Sequence, residues 1–335
     1  MVAIGVFEDT VLGGLRTALK GQVIAPGDAD YDTGRRIHNG MIDKRPALIV
    51  RCTGVADVMA ALAFGLERDL PIAVRGGGGN FGIVTSFEYR LHPVGPVLAG
   101  PIIHPFSAAK EAFTFYRDFS QSAPDELFCE FGLGALPDGQ RAVFLFLFYN
   151  GPADEAAKVV APARAFGNPL EDLLGPQTYC QAQQAFDADF PFGLLNYWKS
   201  SNVRELSDDA IETMVSFMER APSMSPMVII DQFGGAVARV PNDATAFGHR
   251  DAAYDLIIAA IWSELEEQEA HIEWARSFWD AMQPHASEDV YVNYLSDEGD
   301  ERVRAAYGHH YERLVELKRK YDPENVFRSN QNIQP

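Results

Sequence analysis

The stretch Leu70-Pro-Ile-Ala-Val-Arg-Gly-Gly-Gly-Gly-Asn-Phe-Gly-Ile-Val-Thr-Ser-Phe-Glu-Tyr-Arg-Leu91 places four consecutive glycines between two apolar segments. The residues before the glycines predict a short strand, and the β-branched and aromatic residues from Ile83 onward predict a second. Glycines let another group approach the backbone closely, and their consecutive N–H groups can form an anion-binding nest. Arg75 adds a positive charge at the edge. The stretch therefore indicates either a phosphate or pyrophosphate site or a flexible strand connection without a ligand.

Gly77, Gly79 and Gly82 also satisfy the G-x-G-x-x-G spacing of dinucleotide-binding sites. In that fingerprint the glycines open a helix whose N-terminus receives the pyrophosphate. Here Ile83-Val-Thr-Ser-Phe-Glu-Tyr89 follows, which predicts a strand and not a helix. We therefore reject a nicotinamide-type site.

The composition of the 335 residues is that of a globular protein, with 47% hydrophobic and 22% charged residues. The length predicts two domains. A net charge of −19 without a basic stripe argues against a nucleic-acid partner, because a phosphate backbone requires a basic face. The sequence has no apolar run of membrane-spanning length, so we expect no membrane partner. The oligomeric state stays open.

The three cysteines, Cys52, Cys129 and Cys180, are odd in number and widely spaced. This pattern favours reduced, buried thiols in a cytoplasmic protein over a disulfide framework or a zinc site. The N-terminus also lacks the pattern of a secretory signal peptide. We expect no bound metal.

The first part of the chain predicts a βαβ unit. Residues 47–51 read as a buried strand, residues 54–68 have apolar residues at helical spacing, and residues 70–74 read as the next strand. Strand, helix and strand within about 30 residues predict a parallel pair. Upstream, the pattern predicts a helix over 12–19 and a strand over 22–24.

From Val97 onward, strands and helices no longer alternate strictly. Ser107 is a candidate N-cap for one helix, and Pro137-Asp-Gly139 indicates a hairpin turn. The pattern predicts strands at 98–103, 128–136, 141–149, 227–233, 255–262 and 290–294, and helices at 107–122, 152–166, 208–220, 264–282 and 300–321. This arrangement predicts an α+β domain whose antiparallel sheet is covered by helices on one face.

Tyr291, Asn293 and Tyr294 form a polar and aromatic cluster within the last predicted strand. In a strand, Tyr291 and Asn293 share one face and Tyr294 lies on the other. A tyrosine with a lowered pKa can act as a general base, and an asparagine can hold a ring carbonyl by a hydrogen bond. Packing of the aromatic rings into the core is the alternative.

A second group of amides, Asn325, Asn330, Gln331 and Asn332, alternates with apolar residues near residue 333. The apolar residues would anchor the segment while the amides contact a polar group, although a plain Asx-turn segment fits as well. The sequence contains no Walker A loop, no His-Glu-x-x-His and no Gly-x-Ser-x-Gly. Three common hydrolase and nucleotidase classes therefore lose support.

Taken together, four segments resemble the berberine-bridge-enzyme-like branch of the FAD-linked oxidases, which have the vanillyl-alcohol-oxidase (PCMH-type) fold. The last of them, Tyr321-Asp-Pro-Glu-Asn-Val-Phe-Arg-Ser-Asn-Gln-Asn332, resembles a long and specific C-terminal signature of that family. The others are Arg45–Val58, Arg75–Tyr89 and Tyr291–Tyr294. The resemblance covers nearly the whole chain.

The resemblance implies a bound FAD that takes hydride from a substrate C–H and passes the electrons to dioxygen. Tyr294 matches the tyrosine proposed as the catalytic base in the family, and Tyr291 is expected to contact the substrate. The expected cofactor-binding residues are Arg75, Gly76, Gly77, Gly78, Gly79 and Asn80 at the phosphates, and Asn293, Asn330 and Asn332 near the flavin ring.

The chain departs from the family at the glycines. The family has two similar glycine-rich segments, the first ending in a histidine that can bond to the flavin, with about a hundred residues between them. Here the two segments are fused, and Gly79 stands in place of the histidine. The resemblance therefore implies a large internal deletion in the FAD-binding domain and a non-covalent FAD, if one is bound.

These inferences give an α+β protein with three parts: an abbreviated α/β FAD-binding domain of the PCMH type (1–97), an α+β substrate domain (98–289) and a C-terminal segment that returns to the flavin (290–335). The expected function is oxidation of a small, hydroxyl-bearing or other organic molecule. A non-catalytic remnant that acts as a binding or interaction module is the alternative.

Overall fold

The chain forms two compact units in the computed structural model, which describes residues 7–75, 79–248, 250–287, 290–295, 299–328 and 331–335. Unit 1 comprises residues 1–90 and 311–335, and unit 2 comprises residues 91–310. Unit 1 is therefore built from two segments that lie far apart in the sequence.

Unit 1 contains a small hydrophobic core. Leu15, Leu19 and Val23 are buried there, with half-buried Leu48 and Phe64 among the residues packed on them. Its elements are α1 (Asp9–Ala18), β1 (Gln22–Ile24), α2 (Tyr31–Arg35), β2 (Ile49–Arg51), α3 (Val55–Leu66) and, after unit 2 in the chain, a helix at Tyr311–Tyr321. The predicted elements at 12–19, 22–24, 47–51 and 54–68 are confirmed in type.

The buried carboxylate of Asp57 holds the start of α3 in place. It accepts hydrogen bonds from the backbone N–H groups of Lys20, Gly21 and Thr53 and from the Thr53 hydroxyl, at 2.8 to 2.9 Å. These bonds, chiefly those from Thr53 and Lys20, lower the pKa of Asp57 to about 2. One side chain thereby joins the end of α1 to the loop that enters α3.

The prediction of a parallel βαβ unit is wrong. β1 and β2 pair with each other in antiparallel register, Val23 opposite Val50, and residues 70–74 are not a strand. A parallel partner for β2 would be a strand that follows α3, and the described part of unit 1 contains no such strand. The second predicted strand, from Ile83 to residue 89, is also irregular apart from a single bridge at Ile83.

Unit 2 is organised around an antiparallel sheet that has eight strands within the described residues. Its strand order is β6-β3-β5-β4-β9-β10-β8, and β7 pairs with β3. The strands are β3 (Val97–Pro105), β4 (Leu127–Ala135), β5 (Arg141–Tyr149), β6 (Glu171–Asp172), β7 (Gly175–Gln177), β8 (Leu195–Val203), β9 (Met227–Gln232) and β10 (Tyr254–Trp262). The predicted antiparallel sheet and its hairpin are confirmed.

Helices cover one face of this sheet. Phe113 of one helix packs on Phe131 of β4 with ring centroids 3.9 Å apart, and Trp279 of another donates from Nε1 to Ser201 of β8 at 2.9 Å. The helices of unit 2 are α4 (Ala109–Gln121), α5 (Ala153–Ala165), α6 (Tyr179–Gln183), α7 (Asp208–Glu219), α8 (Gly235–Arg239), α9 (Gln268–Met282) and α10 (Asp300–Tyr307); the helix of unit 1 at Tyr311–Tyr321 is α11. We call the side that carries α4, α7 and α9 the helix face and the other the opposite face.

Three local predictions in unit 2 are wrong. Residues 290–294 form a single 3-10 turn at Val292–Tyr294, not a strand, because they pair with no neighbouring strand in the described structure. The predicted helix over 300–321 is interrupted at Gly308, whose φ of 51° suits glycine and breaks the helical path. Ser107 lies in a 3-10 turn and does not cap α4, which begins after Ala108 without a side-chain cap.

The thiols differ in part from expectation. Cys129 is buried, as predicted, but Cys52 and Cys180 are exposed, and all three are free. Burial on the helix face of β4 raises the pKa of Cys129 to about 12, so it acts as an inert core residue.

A candidate substrate site on the antiparallel sheet

Three acidic side chains lie side by side on the opposite face of the sheet. Glu130 of β4 is directly opposite Asp231 of β9, Asp231 is opposite Asp255 of β10, and Asp255 is opposite Asn202 of β8. Residues opposite each other in antiparallel strands share a face, with Cβ atoms about 4.5–5.5 Å apart. We call Glu130, Asp231 and Asp255 the carboxyl row; Asn202 continues it by one strand.

Several oxygens of this row are buried without a partner. Asp255 is 0% exposed and Asn202 2% exposed. Both carboxyl oxygens of Asp255, Oδ1 of Asp231 and Oδ1 of Asn202 accept no hydrogen bond from the described part of the protein. The hydroxyl of Ser200, two residues along β8 on the same face, is also buried and unpartnered. Because such groups are costly in a folded protein, their concentration on one face indicates a binding site.

The row favours protonated carboxyl groups. Burial, together with the neighbouring Asp231, raises the pKa of Glu130 to about 8 and that of Asp255 to about 8. Burial also raises the pKa of Asp231, although the hydrogen bond with Glu130 lowers that pKa in part. The Glu130 carboxyl is thus the proton donor to Asp231, as expected where like charges cannot all ionise in one buried place.

Tyr294 and Tyr291 lie at the 3-10 turn of unit 2, with ring centroids 5.4 Å apart. Burial, and then Asp231 and Asp255, raise the pKa of Tyr294 well above its ordinary value. This environment favours the protonated phenol, so Tyr294 is suited to donate a hydrogen bond and not to remove a proton. Its expected role as the catalytic base stays a prediction that the structure does not favour.

Asn293 and Tyr291 contact each other within the 3-10 turn. Asn293 is exposed and donates from Nδ2 to the Tyr291 hydroxyl at 2.6 Å. The strand-based expectation that they share a face gives way to this local contact within the turn. Their roles toward flavin and substrate stay predictions.

A small cavity lies beside the row, with a volume of about 20 Å³, room for one water molecule. Its wall is largely aromatic, and Asn202 links it to the row. The lining side chains include Asn202, Phe233, Phe247, Tyr291 and Tyr307. The ring of Phe247 makes edge contacts with Phe233 and with Tyr291, at 6.4 and 5.6 Å between centroids.

Unit 1 contains a different polar cluster, centred on the fully buried Lys318 of α11. Its ammonium group donates to the Asp322 carboxylate at 2.6 Å, the Asn80 carbonyl at 2.7 Å and the Phe327 carbonyl at 2.8 Å. Asp322 in turn accepts from the backbone N–H groups of Val326 and Phe327. We call Lys318, Asp322 and Asn80 the tail clamp.

The tail clamp uses the side chain that was expected on the cofactor phosphates. Asn80 donates from Nδ2 to the Gln331 carbonyl at 2.9 Å and accepts at Oδ1 from the Ile333 N–H at 2.8 Å. Its amide therefore holds residues 331–333 in place, so this part of the C-terminal signature has a structural role within unit 1. The sequence analysis assigned no role to Lys318, because nothing in the sequence indicates that this lysine is buried.

The other residues expected to bind the cofactor differ in exposure and in hydrogen bonding. Arg75 is exposed and donates from its guanidinium to the Arg36 carbonyl at 2.9 Å. Gly79 is exposed, with open space where a side chain would begin. Asn332 has a buried Oδ1 that accepts no hydrogen bond in the described structure. Gly76, Gly77, Gly78 and Asn330 lie outside the described residues.

The carboxyl row was not predicted from the sequence, because its members come from three strands that are separated along the chain. A usable signal existed: each acid sits inside an otherwise apolar strand, as in Met227-Val-Ile-Ile-Asp-Gln232 and Tyr254-Asp-Leu-Ile-Ile258. A carboxyl group at such a position is rarely buried without a reason. The strand β8, which supplies Asn202, was also not predicted.

No group of three or more acidic, histidine or cysteine side chains among the described residues has the geometry to hold a metal ion. Among the described residues, no helix combines the length and the apolar character that crossing a bilayer requires.

Comparison with known proteins supports the resemblance. Residues 290–334 match the model of the family described as berberine and berberine like. Along most of its length the chain is similar to FAD-linked oxidoreductases and berberine bridge enzyme-like proteins. A Dictyostelium discoideum FAD-linked oxidoreductase is 30% identical over 273 residues, covering 80% of this chain and 59% of that protein. Berberine bridge enzyme-like D-1 of Nicotiana tabacum is 25% identical, covering 78% and 56%.

Solved structures of the berberine-bridge-enzyme-like family share the fold. The wild-type BBE-like 1 protein of Physcomitrella patens superposes with a TM-score of 0.83 at 18% identity, covering 97% of this chain and 99% of that one. The 6-hydroxy-D-nicotine oxidase of Arthrobacter nicotinovorans gives 0.81 at 20% identity, covering 95% and 98%. The chain is short for this family: it spans 57% to 61% of the length of the first three curated relatives it matches.

Proposed function

We propose that the chain is a shortened FAD-linked oxidoreductase that retains a substrate site at the carboxyl row and has an incomplete cofactor site. Its curated relatives are named FAD-linked oxidoreductases, which supports the reaction class. The observation that carries the proposal is the carboxyl row, because the buried, unpartnered oxygens of Asp231 and Asp255 are costly to keep without a ligand. The substrate is a small organic molecule, and dioxygen is the proposed electron acceptor.

At such a site the residues of unit 2 have different roles. A carboxyl group whose pKa lies near neutrality can accept or return a substrate proton at physiological pH, and Asp255 and Glu130 meet this condition. Tyr294, held in its protonated form, donates a hydrogen bond to a substrate oxygen or nitrogen. Asn202 orients the substrate through its free amide oxygen.

The described residues of unit 1 do not form a complete FAD site. Both polar atoms of the Asn80 side chain are already bonded within the tail clamp, and its carbonyl is bonded to Lys318. The Arg75 guanidinium has donors left, and the buried Asn332 oxygen still needs one. Two such groups are too few to hold a dinucleotide. A bound FAD would supply the redox chemistry; with Gly79 in the place of the family's histidine, we propose that it binds non-covalently.

The visible absorption spectrum of the purified full-length chain tests this proposal. The expected result is a colourless or weakly yellow protein that gains flavin bands on incubation with excess FAD and loses them slowly on gel filtration. Oxygen consumption with a panel of alcohols and amines then reports turnover. A chain that never retains flavin at any concentration contradicts the reaction class.

A non-catalytic binding module is the second candidate, and one observation favours it. The segment after the glycines exposes large apolar side chains, Phe87 by 63% and Tyr89 by 71%, with their rings stacked 5.7 Å apart. By contrast, Leu48 and Val50 are half-buried and pack on the core of unit 1, so they add no exposed apolar surface of this kind. A module of this kind would stay colourless with FAD and would associate through its apolar surface.

A further inference from the structure

We propose that the carboxyl row, with Asn202, is a binding subsite for the ammonium group of an organic amine. This names the substrate class of the proposed oxidoreductase and rests on that function only for the turnover of the amine, not for its binding. The inference follows from the set of unpartnered atoms on the opposite face of the sheet.

The unpartnered atoms at the row are oxygens, all of which are acceptors once the carboxyls have ionised. They are both carboxyl oxygens of Asp255, Oδ1 of Asp231 and Oδ1 of Asn202, and all four lie on adjacent strands in direct register. The Ser200 hydroxyl next to them can accept as well. A ligand that satisfies several close acceptors must bring several donors. An ammonium group brings up to three N–H donors and the positive charge that carboxylates prefer.

The charges around the row point the same way. The ionisable groups that act on one another at the row are the three carboxyls themselves and Tyr294 from the 3-10 turn, and none of them carries a positive charge. Within the described residues no ion pair includes Glu130, Asp231 or Asp255. The net charge of −19 also attracts cations toward the protein.

Two other ligand types fit less well. A metal ion would need a group of ligands that the described residues do not form. A neutral polyol would bring hydroxyl donors but no positive charge, so it could not stabilise the carboxyls in their ionised form. The Trp198 indole N–H, an unpartnered donor farther along β8 on this face, can bond a second polar group of the amine.

Binding of a cation should displace a proton from the row. Without ligand the row holds protons near neutral pH, because its carboxyls repel each other in a buried place. An ammonium group beside Asp255 stabilises the carboxylate, so the row ionises as the amine enters. Proton release therefore distinguishes this subsite from ordinary surface attraction of a cation.

Isothermal titration calorimetry of the full-length chain with benzylamine, phenethylamine and methylammonium, against neutral benzyl alcohol, tests the inference at pH 7. At least one amine is expected to bind, benzyl alcohol on the order of tenfold more weakly or not at all. The heat is expected to change between phosphate and HEPES buffers in proportion to the protons released; Tris is avoided because it is itself a primary amine. Asp255→Asn, which preserves shape, should weaken the amine by about tenfold and reduce the proton release.

Asp209→Asn is the matched control, since it removes one exposed charge from α7 on the helix face. It should leave affinity and proton release unchanged. Binding of no amine, equal binding of benzyl alcohol, or an Asp255→Asn protein that is folded by circular dichroism and binds as the parent does, each overturns the inference. FAD retention is measured separately by absorption: amine binding without FAD retention refutes only the oxidoreductase, and FAD retention without amine binding refutes only the subsite.

Discussion

Replacing Lys318 by methionine is expected to destabilise unit 1 selectively. The Lys318 ammonium group is 0% exposed and bonds to one carboxylate and two backbone carbonyls. Methionine has a similar length and packs in the same space, but it cannot donate. The change leaves the Asp322 carboxylate, 3% exposed, without its counter-ion.

The size of the effect follows from this geometry. Breaking a buried ion pair by removing one partner costs about 3–5 kcal/mol, because the remaining charge is uncompensated. The carbonyls of Asn80 and Phe327 lose their donor at the same time, which places the cost toward the upper end of that range. Burial raises the pKa of Asp322 but the bonds from Lys318 and from two N–H groups outweigh it, so loss of Lys318 should also raise that pKa.

Urea unfolding, followed by circular dichroism and by limited proteolysis, measures the change. The proteolytic arm should show faster cleavage of residues 311–335 while the unit 2 fragment stays intact. Lys320→Met, on the exposed surface of the same helix, is the control and should change little. The double variant Lys318→Met with Asp322→Leu removes both charges and is expected to recover part of the loss. If Lys318→Met unfolds at the same urea concentration as the parent, the tail clamp does not stabilise unit 1.

The remaining predictions concern pH and the backbone. Because Asp255 and Glu130 have raised pKa values in the folded state, the stability that their protonated forms contribute is fully present below about pH 4 and is lost as the pH rises to about 8. The free energy of unfolding of unit 2 should therefore fall between about pH 4 and pH 8, by up to about 1.4 kcal/mol per pH unit per group, and change little above that window; in thermal melts, Asp255→Asn should flatten that slope. Asp57 has the opposite sign: its pKa of about 2 means a contribution present above pH 4 and lost as the pH falls through 2, so Asp57→Asn should remove that part of the acid sensitivity in a pH-dependent melt. Gly100→Ala should cost more than about 1 kcal/mol of unit 2 stability in a melt, since its φ of +140° is unsuitable for alanine and the new Cβ would lie 2.4 Å from the Leu173 carbonyl oxygen; an unchanged melting temperature would contradict this reading.

The sequence predicted well where local pattern and topology agree. The hairpin of β4 and β5 is an example, since alternating apolar residues and Pro137-Asp-Gly139 define both strands and turn. The strand expected at 290–294 failed because Tyr and Val favour strands only where a partner exists, and the described structure offers none. The prediction of a parallel βαβ unit failed for the same reason, since residues 70–74 have no partner strand in the described structure.

The candidate site was predictable only in part. Tyr291 and Tyr294 were identified from the resemblance, and the structure places them together. Asn80 was assigned to the cofactor because a sequence cannot show that its amide is already bonded to residues 331–333, about 250 positions away. The carboxyl row depends on the register between three strands, which no single segment encodes.

The tail clamp also orders the steps of folding during synthesis. Residues 91–310 form one uninterrupted segment, so unit 2 can fold as soon as it has left the ribosome. Asn80 emerges before all of unit 2, yet its partners at 318–333 emerge after it. The core of Leu15, Leu19 and Val23 can form from the first segment alone, but the tail clamp stays open until that last segment arrives and closes a loop of more than 200 residues.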